Sequence, residues 1–323
     1  MVSTDPGRAK RGRVLVTGGC GYVGTKLTHA LLARTPFDVT VIDTQWFGNF
    51  LTPSPRLTVT KRDVRAIDEI ELSPYDVIFH LANIANDPSV DLNPYASWEV
   101  NVLGTMRLID RAVREGVGQF VFASSSSVYG VKSEPKVTED LELVPISEYN
   151  KTKMVAERVI LSYEDSLVTT VIRPATVCGF SPRMRLDLTV NLLTMQALTN
   201  GVMTVFGGAQ TRPNIHIDDL VDLYLFSMER RLQGVYNAGF ENLTVQAIAE
   251  RIAAETSAEI RVLPSNDPRS YSVCSDRLLA TGFAPSRSVD TAIKELTAAY
   301  RDGRLKDQPE WRNVSWMKQR EFA

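Results

Sequence analysis

Cysteine and histidine are both scarce in this chain, with three of each among 323 residues. Cys20, Cys178 and Cys274 are odd in number and far apart, which excludes a disulfide framework and points to a reducing compartment. No two cysteines form a CxxC, and His29, His80 and His216 share neither an HExxH nor an HxH spacing. A Cys/His metal site is therefore not expected, and carboxylate sites stay open. Proton transfer near neutral pH would have to rest on a side chain other than histidine. Net charge is lacking too: 36 basic residues face 38 acidic ones, a balance of -2. That argues against bulk binding to nucleic acid or to an anionic membrane. No apolar run approaches the ~18 residues of a membrane span. The first dozen residues, MVSTDPGRAKRG, carry a basic run without an apolar core. They read as a disordered tail (1–12) rather than a signal peptide, and a cytoplasmic location is the expectation.

What is present is an ordinary globular composition, 44% hydrophobic, with length for one large or two fused domains. From Arg13 onward, short apolar runs alternate with longer amphipathic segments. VLVT (14–17), VTVID (39–43), LTVT (57–60), VIFHLA (77–82), FVFAS (120–124) and VTTVIRP (168–174) read as strands buried on both faces. KLTHALLAR, WEVNVLGTMRLIDRAVREG and EYNKTKMVAERVILSYEDS read as helices between them. The fold class is α/β, a doubly wound parallel sheet built from right-handed crossovers. After residue 180 the rhythm loosens, with helices expected near 189–200, 244–256 and 289–303 and short strands near 203–206 and 235–237. The expected division is 13–180 for the Rossmann-like sheet and 181–323 mainly for a smaller mixed α/β substrate lobe at its carboxyl edge.

Residues 17–24, TGGCGYVG, put Gly18, Gly21 and Gly24 directly after the first strand and at the mouth of the first helix. The first glycine turns the chain, the second lets backbone approach a pyrophosphate, and the third allows close helix packing. Tyr22 and Val23 lie in the same turn, whose unpaired N–H groups face a diphosphate. Asp43 ends the second strand, 19 residues past Gly24, where a carboxylate accepts hydrogen bonds from both ribose hydroxyls and repels a 2′-phosphate. NAD is thereby preferred over NADP as the cofactor. Asp63 in KRDVR, with Val64 beside it, is placed to contact the adenine.

Tyr149 and Lys153 sit four apart on a helix and project from one face. A free tyrosine, pKa near 10, is only about 0.1% ionised at neutral pH. A neighbouring ammonium and an oxidised nicotinamide would both favour the phenolate, so a lowered pKa is expected. The run FVFASSSSVYG (120–130) adds hydroxyls at the carboxyl end of a buried strand, where open α/β sheets bind ligands.

TGGCGYVG, VID, KRDVR, VIFHLAN, NVLGT, SSSSVYG, YNKTK and IRPATVCG occur in this order. With them the chain, over about residues 13–300, resembles the extended short-chain dehydrogenases/reductases, in particular the NAD-dependent nucleotide-sugar epimerase/dehydratase group. The resemblance implies Ser125, four before the Tyr of VYG, as the catalytic hydroxyl, Tyr149 as general base, and Lys153 as holder of the nicotinamide ribose. It implies that Leu81 and Ala82 line the diphosphate and ribose, that Ser124 and the main chain at Pro174 flank the nicotinamide, and that Asn101 is a structural, cofactor-side residue. His80 is expected as a packed strand residue. A homodimer through helices 91–115 and 147–165 is implied as well.

The group's 4,6-dehydratases carry an Asp-Glu pair after the catalytic hydroxyl, where this chain has Ser126 and Ser127. Neither serine is an efficient acid or base near neutral pH, so dehydration is disfavoured. A 4-epimerase acting through transient oxidation at sugar C4 is the expectation. The alternatives are a C4 dehydrogenase or 4-ketoreductase and, more distantly, a non-catalytic dinucleotide-binding or RNA-associated protein. The implied partner is a nucleotide-diphosphate sugar. Its contacts would come from Asn86, beside Asp87, and from Ser125 and Ser126 near the sugar. Asn191 and Arg212 would face its diphosphate, Arg183 and Arg185 would add positive potential, and Arg269 and Tyr271 would close over the nucleotide. Arginine suits phosphate because it grips two oxygens at once. Cys178 stands where the group often has the Tyr of a VYG and is expected simply to pack. His216 and Asp218 are expected to anchor a turn and cap a helix.

Overall fold

The computed structural model describes residues 12–265 and 270–320, so the expected tail, apart from Gly12, lies outside the described residues. β1 (Arg13–Thr17) leads through α1 (Tyr22–Arg34) to β2 (Asp38–Asp43) and β3 (Leu57–Lys61). β4 (Val77–His80) is followed by two short helices, α2 (Asp87–Val90) and α3 (Pro94–Trp98), then by α4 (Thr105–Arg114). β5 (Gln119–Ala123), α5 (Glu148–Leu161) and β6 (Val168–Pro174) complete the first half. Along β1 the alternation of side chains decides the layers. Val14 and Val16 pack with Leu27 and Leu31 of α1 on one face, and Leu15 packs with Leu108 and Ile109 of α4 and Ile160 of α5 on the other.

Two expected elements differ in detail. The strand expected over 77–82 ends at His80, and Leu81 and Ala82 leave the sheet. The helix expected over 98–116 opens into a π-helical stretch at Glu99–Gly104, which carries Asn101. Such stretches are frequent at functional sites.

After β6 the chain leaves the sheet. β7 (Thr176–Cys178) is followed by α6 (Thr189–Asn200), β8 (Val202–Phe206), β9 (Thr211–His216) and α7 (Ile217–Glu229). Then β10 (Gly234–Ala238) returns to pair in parallel with β6. β11 (Glu241–Thr244), α8 (Val245–Thr256), β12 (Glu259–Leu263), α9 (Asp276–Leu279), α10 (Val289–Arg301) and α11 (Asn313–Arg320) follow. The large sheet thus has seven strands in the order β10-β6-β5-β4-β1-β2-β3, and smaller sheets are formed by β11-β9-β7 and β12-β8. The short strand expected near 235–237 is the seventh strand of the main sheet. The chain from 181 onward therefore contributes to both halves.

Candidate active site

β1 and β4 are neighbours, yet the chain turns from β1 toward β2 on one side and from β4 toward β5 on the other. The loops that follow them part at this switch point, the usual ligand crevice of such sheets. The result is a cleft of about 370 Å³. Gly18 adopts φ 75°, and a Cβ there would lie 2.6 Å from the Ala82 nitrogen. A Cβ on Gly24 would collide with the Gly18 carbonyl oxygen. Gly21 caps α1 without a side chain, so the first-turn N–H groups of Tyr22 and Val23 stay open to an anion. A pyrophosphate fits this bare, positive cradle.

Asp43 borders the cradle. Its Oδ2 accepts from Cys20 N (3.0 Å) and its Oδ1 from Gln45 N (2.6 Å). A carboxylate has about four acceptor sites, so two remain for ribose hydroxyls. Burial pushes its pKa up, and the two backbone donors and Arg183 pull it back. Asp63 caps the short helical turn Val64–Glu69 through Arg65 N (2.8 Å), and both Asp63 and Val64 line the cleft. Leu81, Ala82 and Pro174 line it as well. Asn101 does not. Its amide accepts from Ile84 N (2.9 Å) and donates to Ile84 O and Thr152 Oγ1, so it ties the loop after β4 to α5.

The other wall carries Ser125, Tyr149 and Lys153. Ser125 Oγ lies 2.7 Å from Ser127 Oγ and caps the turn Ser126–Tyr129. Ser126 Oγ lies 3.2 Å from the Tyr271 hydroxyl, which brings Tyr271 over the cleft. Lys153 Nζ donates to Ala123 O (2.6 Å) and sits 4.7 Å from the Phe122 ring centroid. Burial pushes this lysine down to about 7, opposed by Glu157.

The expected lowering of the Tyr149 pKa is not found in the ligand-free chain. Burial pushes it up to about 12; Arg185 and a hydrogen bond with Ser125 lower it, and Asp87 raises it. Lys153 is engaged by Ala123 O and lies 6.0 Å from the Tyr149 ring centroid, and Arg185 is the cation that lowers the phenol pKa.

Among the expected substrate residues, Asn86, Arg183 and Arg185 line the cleft. Asp187, which the sequence reading missed, joins two of them: it accepts from Arg185 Nε (3.0 Å) and Nη2 (2.8 Å) and from Asn86 Nδ2 (2.8 Å). Asn191 does not face the cleft. Its amide is spent on Gly179 N, the Tyr22 hydroxyl and Arg185 O, locking the loop after β7 onto α1. Arg212 also stands apart from the cleft lining, on β9 opposite Leu243, where pairing with β11 fixes its direction. Arg269 lies outside the described residues. Ser124 reaches the cleft, but its hydroxyl is turned to Glu157 Oε1.

A dinucleotide cradle and a Ser–Tyr–Lys set therefore share one cleft, and the chain's own similarities agree. The chain belongs to the NAD-dependent epimerase/dehydratase family. The family's sequence profile matches residues 14–239. Over 231 residues the chain is 34% identical to an uncharacterized UDP-glucose epimerase of Bacillus subtilis, covering 65% of this chain and 70% of that protein. Over 277 residues it is 31% identical to UDP-glucuronic acid decarboxylase 1 of Arabidopsis thaliana, 80% of this chain and 62% of that one. Among solved structures, the dTDP-glucose 4,6-dehydratase DesIV of Streptomyces venezuelae, with NAD and TYD bound, superposes with a TM-score of 0.82 at 25% identity, covering 94% of this chain and 99% of that one. The cofactor of the family is NAD.

His80, His216 and Cys178 stand aside from this chemistry. His80 is buried between the Thr17 and Thr105 hydroxyls (2.7 and 2.8 Å), and burial pushes it down to about 3, a neutral packed ring. His216 caps α7 by accepting from Asp218 N (3.1 Å) and faces Glu295 (3.1 Å), while Asp218 is paired with Lys26 (2.6 Å). These three side chains come close enough to hold an ion. His216 Nδ1 accepts from Asp218 N, Nε2 faces Glu295, and Lys26 is the cation paired with Asp218. Cys178 is fully buried and packs. Among the described residues, no helix is long and apolar enough to cross a membrane.

Proposed function

We propose that this chain is an NAD-dependent nucleotide-sugar 4-epimerase. The observation that carries the reading is the wall of the cleft on which Ser125, Tyr149 and Lys153 stand together, followed by Ser126 and Ser127 rather than by carboxylates. NAD held along the glycine cradle supplies a reversible hydride acceptor and a positive charge. Ser125 Oγ holds the sugar oxygen. Tyr149 Oη takes the proton from that oxygen and later returns it, and Arg185 stabilises the phenolate in between. Lys153 fixes the wall through Ala123 O and presents its ammonium toward the cofactor. The two positions after Ser125 are serines rather than the acid–base pair that would eliminate water, so the sugar leaves with its oxygens intact. The UDP-glucose and UDP-glucuronic acid proteins among its relatives support a uridine diphosphate sugar as substrate.

The test is a panel of UDP-, GDP-, dTDP- and CDP-sugars incubated with purified enzyme and analysed for exchange at C4. Exchange without NADH accumulation is expected, and Tyr149→Phe lowers kcat by about 10²–10⁴-fold while the protein keeps its NAD. Full activity in that variant, or one NADH formed per sugar consumed, overturns the reading. The latter outcome would favour a C4 dehydrogenase.

A homodimer is part of the same proposal. Tyr95 is 77% exposed on α3, and Leu103 and Met106 are exposed on the helix that follows. All three lie within the 91–115 segment expected to pair. Light scattering should give a dimer, and Leu103→Glu with Met106→Glu should give a monomer.

A further inference from the structure

Arg183 is 2% exposed, yet among the described residues it is hydrogen-bonded to no carboxylate. Its Nη1 donates to Met184 O (3.0 Å), its Nη2 donates to Asn313 Oδ1 (2.6 Å), and its Nε has no partner at all. A buried guanidinium left this way is costly unless an anion completes it. Burial, and after it the second positive charge of Arg185, push Arg183 down to about 9 against the longer-range pull of Asp187 and Asp43, which still leaves it charged at neutral pH.

The place of this cation identifies the anion it suits. The guanidinium carbon lies 4.3 Å from the centroid of Phe47, and Phe47 belongs to the cleft-lining loop that follows Asp43. Arg183 is close enough to Asp43 to pull its pKa down. It therefore stands beside the glycine cradle. The carboxyl-terminal segment pins it there. Leu186 N donates to Trp311 O (2.8 Å), Asn313 of α11 reaches into the cleft, and Trp316 Nε1 donates to Trp46 O (2.7 Å). Trp311 packs with Tyr22 and Met184, and Met317 packs on the far side among the α4 and α5 core. The segment thus crosses from one core to the other and joins the loop after β2 to the loop that carries Arg183.

We propose that Arg183 clamps the diphosphate of the bound dinucleotide, rather than that of the nucleotide sugar, and that the segment from Trp311 to Met317 is a strap that retains NAD as a resident group. The inference rests on NAD as cofactor and is independent of which sugar is processed. Diphosphate is the shared chemistry of both ligands, and a planar fork of donors can hold two of its oxygens.

The full-length chain is purified as wild type, Arg183→Met, Arg183→Lys, Asn313→Ala and Trp316→Ala. Nucleotide released by acid is counted per chain, the NAD Kd is measured by titration after stripping, and UDP binding is measured by calorimetry on NAD-saturated protein. Arg183→Met should raise the NAD Kd by at least about tenfold, the loss expected for charge-assisted bonds to phosphate, with UDP affinity unchanged within about twofold. Arg183→Lys should recover part of the loss, and Trp316→Ala should release NAD faster with Arg183 still in place. Asn313→Ala, which frees Nη2 without removing the charge, should also weaken NAD, and it decides the matter should Arg183→Met not fold. Full NAD content in Arg183→Met with weakened UDP binding would assign the clamp to the substrate and overturn the proposal, as would unchanged binding of both ligands.

Discussion

Arg173 and Arg183 are both buried arginines near one cleft, and they are held in opposite ways. Arg173 has its charge answered: Nε and Nη2 both bind Glu157 (3.0 and 2.7 Å), and Nη1 donates to the Tyr129 hydroxyl, which donates in turn to Asn237. Ser124 and Glu157 complete the set behind the catalytic wall. Arg183 has two neutral acceptors, an aromatic ring and an orphaned Nε. A closed network of this kind is scaffolding that fixes β5, β6 and α5 around Lys153. An open one is a receptor. Equal burial and equal charge therefore carry different meanings, and the partner list tells them apart.

The comparison can be broken most directly through stability. Arg173→Met leaves Glu157 buried with its salt bridge gone and only the Ser124 hydroxyl bonded to it, and urea denaturation of the NAD-free protein should show a loss of about 3–5 kcal/mol. Asn101→Ala, which strips Ile84 and Thr152 of their partner, should cost about 1–3 kcal/mol and should lower NAD content by loosening the loop after β4. Arg183→Met in the same NAD-free protein should change stability by no more than about 1 kcal/mol, because the charge it removes is held by no salt bridge and feels Asp43 and Asp187 only at longer range. A loss there as large as that of Arg173→Met would erase the distinction.

A pH series sharpens the closed side. Lys153 falls from 10.5 to about 7 because of burial, against the pull of Glu157. Between those values the unfolded chain holds a proton that the folded chain has released, so the contribution of this lysine to stability rises with pH across that window. The difference in unfolding free energy between wild type and Lys153→Met should therefore climb from pH 7 upward. In Glu157→Gln, where the opposing charge is gone, the climb should begin at lower pH. A flat difference would show that burial does not reach Lys153.

Much of the site was legible in the sequence because its signals are local. Gly18, Gly21 and Gly24 announce a turn by backbone need, and Asp43 by its distance from them. Tyr149 and Lys153 share a face by helical spacing alone. The same spacing continues to Glu157, one turn further along α5, and would have found it. What stayed hidden depends on three-dimensional neighbours. Arg183, Arg185 and Arg212 are the same letter in the sequence, and only burial and pairing separate an open clamp, a guanidinium bound to Asp187, and a residue on a lobe strand. Asp187 carries no motif, and its role exists only because Asn86 and Arg185 converge on it. The upward push of burial on Tyr149 in the ligand-free chain was not legible, because reach along a helix face does not weigh desolvation. β10 was recognisable as a strand, but its partner lies more than sixty residues earlier in the chain, at Thr170–Pro174.

That late strand also governs how the chain can assemble. β6 lies between β5 and β10, so during synthesis one flank of it stays bare until residues 234–238 emerge, after most of the second lobe has already been made. An uncovered edge of this apolar kind invites pairing with other chains. The nucleotide-binding half is thus unable to finish folding by itself, and a fragment ending near residue 180 would be a sticky, unfinished sheet.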